Sequence, residues 1–497
     1  MTIENKKRVM QSFIDKNFMV SPDILSVLND NFDFNNFFQN IEEHIPIQEK
    51  SKVLDKALFM NYILPKKEDN YQVKIIESYD KPPIKREVGH FVSFFRTRYN
   101  QLSSILQNRL ELQSTISINK IKNKKPKEKV AIIGLVNEIR LTKNGNLYIT
   151  IEDPTGSINV LINKNRPELF EKGQDILRDE VVGFEGTTAE RIVFVNNIFF
   201  PEVPLSKELK KAPDDTYAVF IADMHVGSNM FMEKEFLDFI KWINCEFGTV
   251  EEKEIANKVK YLFIAGDVVE GAGIYPGQEE ELIITEIEKQ YEKVAEYLAL
   301  IRKDVKIIVS TGNHDASRIA EPQPPLSEKF ASSIYKLSNV YNVSNPATVN
   351  IHSSKTFPGF DILIYHGYSF DYYVSNVESI RNQGGYYRSD LIMKLLLQKR
   401  HLCPTHTSSL YIPDAEKDPL VISKIPDFFI TGHIHYANIS NYKNVTMICC
   451  SCWQGKTSFQ EKTGHDPQPC KVPVVNLKTR KVVLLEFDKD GRSKSEN

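Results

Sequence analysis

VFIADMHVGSNMF, residues Val219 to Phe231, begins as an apolar run and stops abruptly at Asp223 and His225. Val219, Phe220 and Ile221 read as a strand buried on both faces, the pattern of parallel strands in α/β proteins. A carboxylate and an imidazole one residue apart, where such a strand runs out, are either a plain turn or one corner of a ligand site. The rest of the chain decides between the two.

From about residue 214 onward, strand and helix patterns alternate over nearly 300 residues, which predicts an α/β domain. The strands are YAVFIAD, KYLFIAGD, VKIIVSTGNHD, FDILIYHG and DFFITGHIH. Between them, Phe236, Phe239, Ile240 and Ile243 fall at helical spacing, as do Ile283, Ile287, Val294, Leu298 and Ile301. Every one of the five strands ends in groups that can bind metal: Asp223 and His225, then Asp267, then Asn313, His314 and Asp315, then His366, then His433 and His435. In α/β sheets the ligand crevice lies at the carboxyl ends of the strands. Five such endings together point to a metal site, and the glycines beside them suit tight turns and close approach.

The remainder of the chain has a different character. With 497 residues, 41% of them hydrophobic and 26% charged, it can bury several cores. Residues 1–65 read as a helical module in which Ser21 caps a helix that starts at Pro22. Residues 66–125 read as a linker carrying one amphipathic helix, with Phe95, Tyr99, Leu102, Ile105 and Leu106 on one face and Arg96, Arg98 and Arg109 elsewhere. The run KIKNKKPKEK is a solvated linker or a phosphate-binding arm. Residues 126–205 give short strands with an Asn144-Gly145 hairpin turn and a helix near RPELFEKG, which suits a small OB-type barrel. Such barrels bind single strands or dock proteins, and few aligned basic or aromatic residues favour either role here. The α/β domain covers 210–490, and 488–497 form a disordered tail.

Net charge is −2, from 63 basic and 65 acidic residues, so global charge lends nucleic-acid binding no support. No apolar run approaches the roughly 18 residues of a membrane span, and the N-terminus lacks the apolar core of a secretion signal. The expectation is a cytoplasmic protein with no membrane partner. Of the six cysteines, Cys449, Cys450 and Cys452 cluster without zinc-ribbon spacing and read as buried free thiols.

The boxes DMH, GDVVEG, GNHD, HG and GHIH, in that order over about residues 217–436, resemble the calcineurin-like metallophosphoesterases. The resemblance implies a sandwich of two β-sheets flanked by helices. It assigns one divalent ion to Asp223, His225, Asp267 and His435, and a second to Asp267, Asn313, His366 and His433, with Asp267 bridging. A mixed nitrogen and oxygen shell suits Mn first, then Fe or Zn, with Mg also possible. His314 resembles the family histidine that faces substrate as a general acid, and a histidine suits that role because its ordinary pKa, about 6.5, lies near working pH. Asp315 either orients His314 or caps a helix starting ASRIA, and Arg318 either contacts phosphate or makes a structural ion pair. His352, His401, His406 and His465 match no motif.

GDVVEG lacks the arginine of protein phosphatases, and GNHD ends in Asp, which argues for a diesterase. The order helical module, linker, OB barrel, phosphoesterase resembles the small subunits of archaeal family D DNA polymerases, as do VGHFVSFFRTRYNQLSSIL, GNHDASR and WQGKTSFQEKTGHDPQPCKVPVVNLKT. That resemblance implies a proofreading 3′→5′ exonuclease partnered by a large catalytic polymerase subunit. DNA with a single-stranded or mismatched 3′ end is the implied substrate, and a sliding clamp is a further partner through the complex. Two other readings stay open: a non-catalytic assembly subunit with a vestigial metal site, and a free-standing repair nuclease.

Overall fold

The computed structural model describes Gln11, Asp15, Ser21 and residues 72–488, apart from Pro83, Thr407, Gly464 and His465. The expected N-terminal helical module, the C-terminal tail and His465 therefore lie outside the described residues. The chain divides into two compact units, Met1–Gln72 and Val73–Asn497. In the first, Gln11 Nε2 donates to Asp15 Oδ1, one helical turn away, at 2.9 Å.

The second unit is mixed α/β, with two six-stranded sheets and a closed barrel. The strands in chain order are β1 (Gln72–Ser78), β2 (Lys129–Leu141), β3 (Leu147–Asp153), β4 (Gly156–Ile162), β5 (Val181–Ala189), β6 (Ile192–Phe199), β7 (Tyr217–Ile221), β8 (Val259–Ala265), β9 (Lys306–Ser310), β10 (Val340–Asn342), β11 (Ala347–Ser353), β12 (Phe360–Ile364), β13 (Phe428–Thr431), β14 (Asn438–Tyr442), β15 (Val445–Cys449), β16 (Lys471–Asn476) and β17 (Val482–Glu486). One sheet runs β1-β11-β12-β13-β15-β14, the other β10-β9-β8-β7-β16-β17.

The apolar runs are buried on both faces because alternate residues serve two cores. Ala218 and Phe220 point between the sheets with Phe263, Ile308, Ile362, Phe428 and Ile430. Phe220 stacks on Phe263 and Phe428, with centroids 5.2 and 6.0 Å apart. Val219 and Ile221 point outward, beneath Phe236, Phe239 and Ile240 of helix Glu233–Ile243 and Val294 and Leu298 of helix Ile287–Leu300. On the opposite outer face, Leu363 and Phe429 pack under Ile392, Met393 and Leu396 of helix Ser389–Lys399. Because β7, β8 and β9 are parallel to one another, and β12 to β13, the carboxyl ends of the strands lie together within each sheet.

The expected barrel is a closed one of order β2-β3-β4-β6-β5, with helix Pro167–Gln174 between β4 and β5. Its β2–β3 hairpin turns at Gly145, whose φ of +78° is the left-handed conformation that favours glycine.

Two expectations for residues 66–125 need correction. The segment is not only a linker: Gln72–Ser78 forms the edge strand of a sheet, beside β11. Its short apolar run, VKII, becomes a strand through that partner rather than through local pattern. Helix Val88–Gln107 forms as expected, but Arg98 does not lie apart from its packing face; it is fully buried. Its Nε donates to Asp418 Oδ2 at 2.6 Å, and its Nη1 donates to the carbonyls of Asp179, at 3.2 Å, and Pro404. The guanidinium also lies 4.9–5.3 Å from the rings of Phe94, Phe95 and Tyr411. A buried arginine is tolerated because a carboxylate, two carbonyls and three rings replace its water.

His401, unassigned by any motif, shares Asp418: its Nε2 lies 2.9 Å from Oδ2, while Nδ1 accepts the Cys403 N–H at 3.0 Å. That pairing fixes the neutral tautomer. Burial, and then Arg98 beside it, push the His401 imidazole down to about 4. The unfolded chain takes up a proton near the ordinary value of about 6.5, so between pH 6.5 and 4 the unfolded state holds more protons, and stability falls with pH. The loss is up to about 3 kcal/mol by linkage. Urea unfolding midpoints at pH 6.5 and 4 should therefore fall further in the native chain than in His401→Asn; an equal fall in both would remove His401 from the acid response. His352 is likewise structural, 3.0 Å from Asp214, and His406 packs edge-on to Phe91 and Tyr411.

Among the described residues no helix is long and apolar enough to cross a membrane. All six cysteines are free, and Cys449, Cys450 and Cys452 are buried.

Candidate metal centre

Asp223, His225, Asp267, Asn313, His366, His433 and His435 converge where β7, β8, β9, β12 and β13 end. Five of them, Asp223, His225, Asp267, His433 and His435, sit at φ between 50° and 73°. This left-handed region is unfavourable for non-glycine residues, though Asp and His are among those that tolerate it better. Such conformations cost of order 1–3 kcal/mol each and persist only where the surroundings impose them. Here each strand turns sharply at its end and aims a short polar side chain back into the crevice. The glycines leave no alternative: a Cβ on Gly312 would stand 2.2 Å from Asp267 Oδ1, and one on Gly432 would stand 2.4 Å from Asp223 Oδ2.

The donor atoms form two groups. In one, His225 Nε2 lies 3.0 Å from His435 Nε2, 3.9 Å from Asp223 Oδ1 and 4.0 Å from Asp267 Oδ2. In the other, His366 Nε2 lies 3.2 Å from Asp267 Oδ2 and 2.9 Å from Asn313 Oδ1, which is 3.0 Å from His433 Nδ1. Two donors on one ion at about 2.0–2.1 Å can be no more than about 4.2 Å apart. Every one of these separations satisfies that limit, so the groupings could hold metal ions.

Asp267 belongs to both groups through a single atom. Its Oδ1 accepts the His314 backbone N–H at 2.7 Å, leaving Oδ2 as the oxygen that faces both His225 and His366. Asp223 ties the first strand end to the last, since both of its oxygens accept the His433 backbone N–H, at 3.1 and 2.9 Å.

Burial and charge oppose one another in this cluster. Burial disfavours charge on Asp223 and Asp267, yet the histidines around them hold both carboxyls below their usual range. Burial also opposes charge on His366, but Asp267 outweighs it and lifts the imidazole to about 10. For His435, Cys452 and Asp223 outweigh burial in the same direction. The imidazoles thus hold two buried carboxylates in their charged forms, a role that a divalent ion would also fill.

Three of the nitrogens facing away meet acceptors: His225 Nδ1 lies 2.8 Å from Glu270 Oε2, His366 Nδ1 2.8 Å from the Ala265 carbonyl, and His433 Nε2 3.0 Å from Asp371 Oδ2. Anchoring of this kind fixes ring orientation and tautomer in metal sites. His435 differs, since its Nδ1 accepts from Gln460 Nε2 at 2.8 Å.

Glu270 is the residue that sequence reasoning missed. It is 1% exposed, and its carboxylate holds His225 while its carbonyl lies 2.8 Å from His314 Nδ1. Burial works against its charge, but His225 outweighs burial and lowers the carboxyl to about 2. The clue was present in GDVVEG, where Glu270 had served only to mark the lack of an arginine. Glu270→Gln is expected to weaken metal binding about 10- to 100-fold, the usual cost of losing such a partner. Competition with a fluorescent chelator measures it, and unchanged affinity would remove Glu270 from the orienting role. Asp371 is also new; it follows the His366-Gly367 box on helix Phe370–Asn376 and carries no motif of its own.

Neither expectation for Asp315 stands. Its Oδ2 accepts the backbone N–H groups of Asp267, at 3.0 Å, and Gly312, at 2.8 Å, so it pins two ligand loops together. ASRIA forms bends rather than a helix. Arg318 makes no ion pair among the described residues; it donates to the carbonyls of Ala320 and Pro322 in its own loop.

Residues 218–438 match the family model for the B subunits of DNA polymerase alpha/epsilon. The chain is similar to the DNA polymerase II small subunit of Pyrococcus furiosus, 37% identical over 467 residues, covering 90% of this chain and 74% of that one. It is similar to that of Archaeoglobus fulgidus, 37% identical over 394 residues, covering 79% and 76%. Among solved structures, an archaeal phosphodiesterase aligns with 54% of this chain and 99% of its own at 12% identity, with a TM-score of 0.25 that is too low to bear on the fold. The DNA polymerase II small subunit of Methanothermobacter thermautotrophicus is 42% identical over 401 residues, covering 81% of this chain and 80% of its own. Identity at that level, sustained across four-fifths of both proteins, places this chain in the family of DNA polymerase II small subunits.

Proposed function

We propose that this subunit is a two-metal 3′→5′ exonuclease of the calcineurin-like phosphoesterase type, trimming DNA ends for the polymerase complex it belongs to. The observation that carries this reading is Asp267 Oδ2, a single carboxylate oxygen within reach of both donor groups while its partner oxygen is tied to His314 N–H. The first ion falls to Asp223, His225, Asp267 and His435, and the second to Asp267, Asn313, His366 and His433. The mixed imidazole, carboxylate and amide shell favours Mn. When bound, two such ions polarise the phosphoryl group and lower the pKa of water.

The chain's own residues supply the rest. His314 is 17% exposed at the crevice, its ring centroid 4.7 Å from that of His225. With Nδ1 held by the Glu270 carbonyl, Nε2 is the nitrogen left to meet substrate. In the reaction, a water oxygen bonds to phosphorus, the bond from phosphorus to the 3′-oxygen of the penultimate nucleotide breaks, and His314 gives that oxygen its proton. The products are a nucleoside 5′-monophosphate and a shortened strand with a 3′-hydroxyl.

Membership of the small-subunit family supports a large catalytic subunit as partner. The barrel order β2-β3-β4-β6-β5 supports an OB-type module. The experiment is an end-labelled primer with a mismatched 3′ end, incubated with the chain alone and with its co-purifying large subunit, with and without Mn. Stepwise shortening from the 3′ end is expected. No shortening in either preparation, despite bound metal, would favour an assembly subunit instead.

A further inference from the structure

The candidate metal centre opens into a cleft of about 420 Å³. Its lining includes Glu270, Ile274, Tyr275 and His314 from the segments after β8 and β9, and Tyr368, Asp371 and Tyr386 from the segment after β12. Among its described lining residues there is no lysine or arginine. Phosphate can therefore be attracted here only by bound cations and histidines, and the rest of a nucleotide must be held by other means. Tyr368 and Tyr386 are lining aromatic groups on the side of His433. Tyr368 is half-buried, its ring meeting that of His433 at 5.7 Å and 64°. Tyr386 is also half-buried, and its hydroxyl engages Asp371, which holds His433.

We propose that Tyr368 and Tyr386 form an aromatic subsite for the base of the 3′-terminal nucleotide. This rests on the exonuclease reading. His314 serves the leaving 3′-oxygen, so the penultimate nucleotide lies on its side of the phosphorus. The terminal nucleoside stays joined through its 5′-oxygen, a different position on phosphorus, and can turn toward His433, beside which the two tyrosines stand. Base–aromatic stacking tolerates every base, as a proofreading site requires, and is worth about 5- to 150-fold in affinity per base. A cleft of about 420 Å³ is of the size that takes a small ligand such as one nucleotide. A terminal base stacked on the tyrosines has left its pairing partner, which costs least at a mismatch, so a preference for mismatched ends follows from the stacking.

The test uses the Mn-loaded full chain with its large subunit. Calorimetry compares 2′-deoxyadenosine 5′-monophosphate with 2-deoxyribose 5-phosphate, which lacks the base. The nucleotide is expected to bind about 5- to 150-fold more tightly. Tyr368→Leu and Tyr386→Leu should each bring the two ligands closer together, and the double variant should nearly equalise them, with metal content unchanged. Tyr368→Phe and Tyr386→Phe keep the rings and should keep the preference, which a role in merely orienting Asp371 would not allow for Tyr386→Phe. Equal or undetectable binding of both ligands by the native protein, or an undiminished preference in the double Leu variant, would overturn the subsite. A primer ending in a base-bearing or an abasic 3′ residue separates the two hypotheses. Shortening without base preference sinks the subsite and leaves the exonuclease standing. Base preference in binding, with no shortening of either primer, sinks the exonuclease and leaves the aromatic subsite.

Discussion

Asp267→Ala is expected to abolish end-shortening, by about 10³-fold or more, and to lower bound Mn from two equivalents to one or none. The reason is geometric. Oδ2 is the atom within 4.0 Å of His225 Nε2 and 3.2 Å of His366 Nε2, so its removal takes a ligand from both groups at once. Two-metal assistance is worth several kcal/mol of transition-state stabilisation, and each 1.36 kcal/mol is tenfold in rate. The substitution also frees the His314 backbone N–H that Oδ1 accepts at 2.7 Å, and this could loosen the loop independently of metal. Asp267→Asn separates the effects. Its amide oxygen can still accept from His314, but the negative charge between the ions is gone. If the bridge matters, Asn and Ala variants lose activity alike, and metal analysis shows the deficit in both. Native turnover in the Asn variant, with two equivalents of Mn, would overturn the assignment of Asp267 as the bridge.

The centre was legible in the sequence for a physical reason. Strands buried on both faces must be continuous apolar runs, so any charged group at their ends stands out, as Asp223 does after Ile221 and His366 after Ile364. Parallel pairing then brings those ends to one edge without any long-range information. What the sequence could not display is whatever depends on who meets whom in space. Arg98 reads as one more charge on an amphipathic helix, and its burial depends on Asp418, 320 positions away. β1 is too short and too charged at its flanks to declare itself, and becomes a strand by pairing beside β11. Asp315 was bound to be misjudged, because its acceptors' partners are backbone N–H groups, which have no residue identity. The left-handed turns at five of the candidate positions are likewise silent, since Asp and His are ordinary loop residues. Hydrogen bonds from Gly312 to Asp315 and from His433 to Asp223 tie the strand-end loops to one another.

The His314 variant tests whether the crevice does chemistry as well as bind metal. His314→Ala is expected to keep both metal equivalents and lose about 10²–10⁴ in rate, the range for removing a general acid. His314 stands close enough to serve as a ligand instead, grouped with His225 and Asp267. Its Nδ1 lies 2.8 Å from a backbone carbonyl, as that of His366 does, so the contact leaves Nε2 open to either role and the variant decides between them. Two measurements distinguish the roles. A ligand's removal lowers metal content, whereas an acid's removal leaves it intact. An acid's removal also spares substrates whose leaving group needs no proton. A primer whose terminal linkage carries a 3′-bridging sulfur should therefore be cut by His314→Ala at close to the native rate, while the ordinary linkage is cut slowly. Loss of Mn from the variant, or equal impairment on both linkages, would take the proton-donor role away from His314.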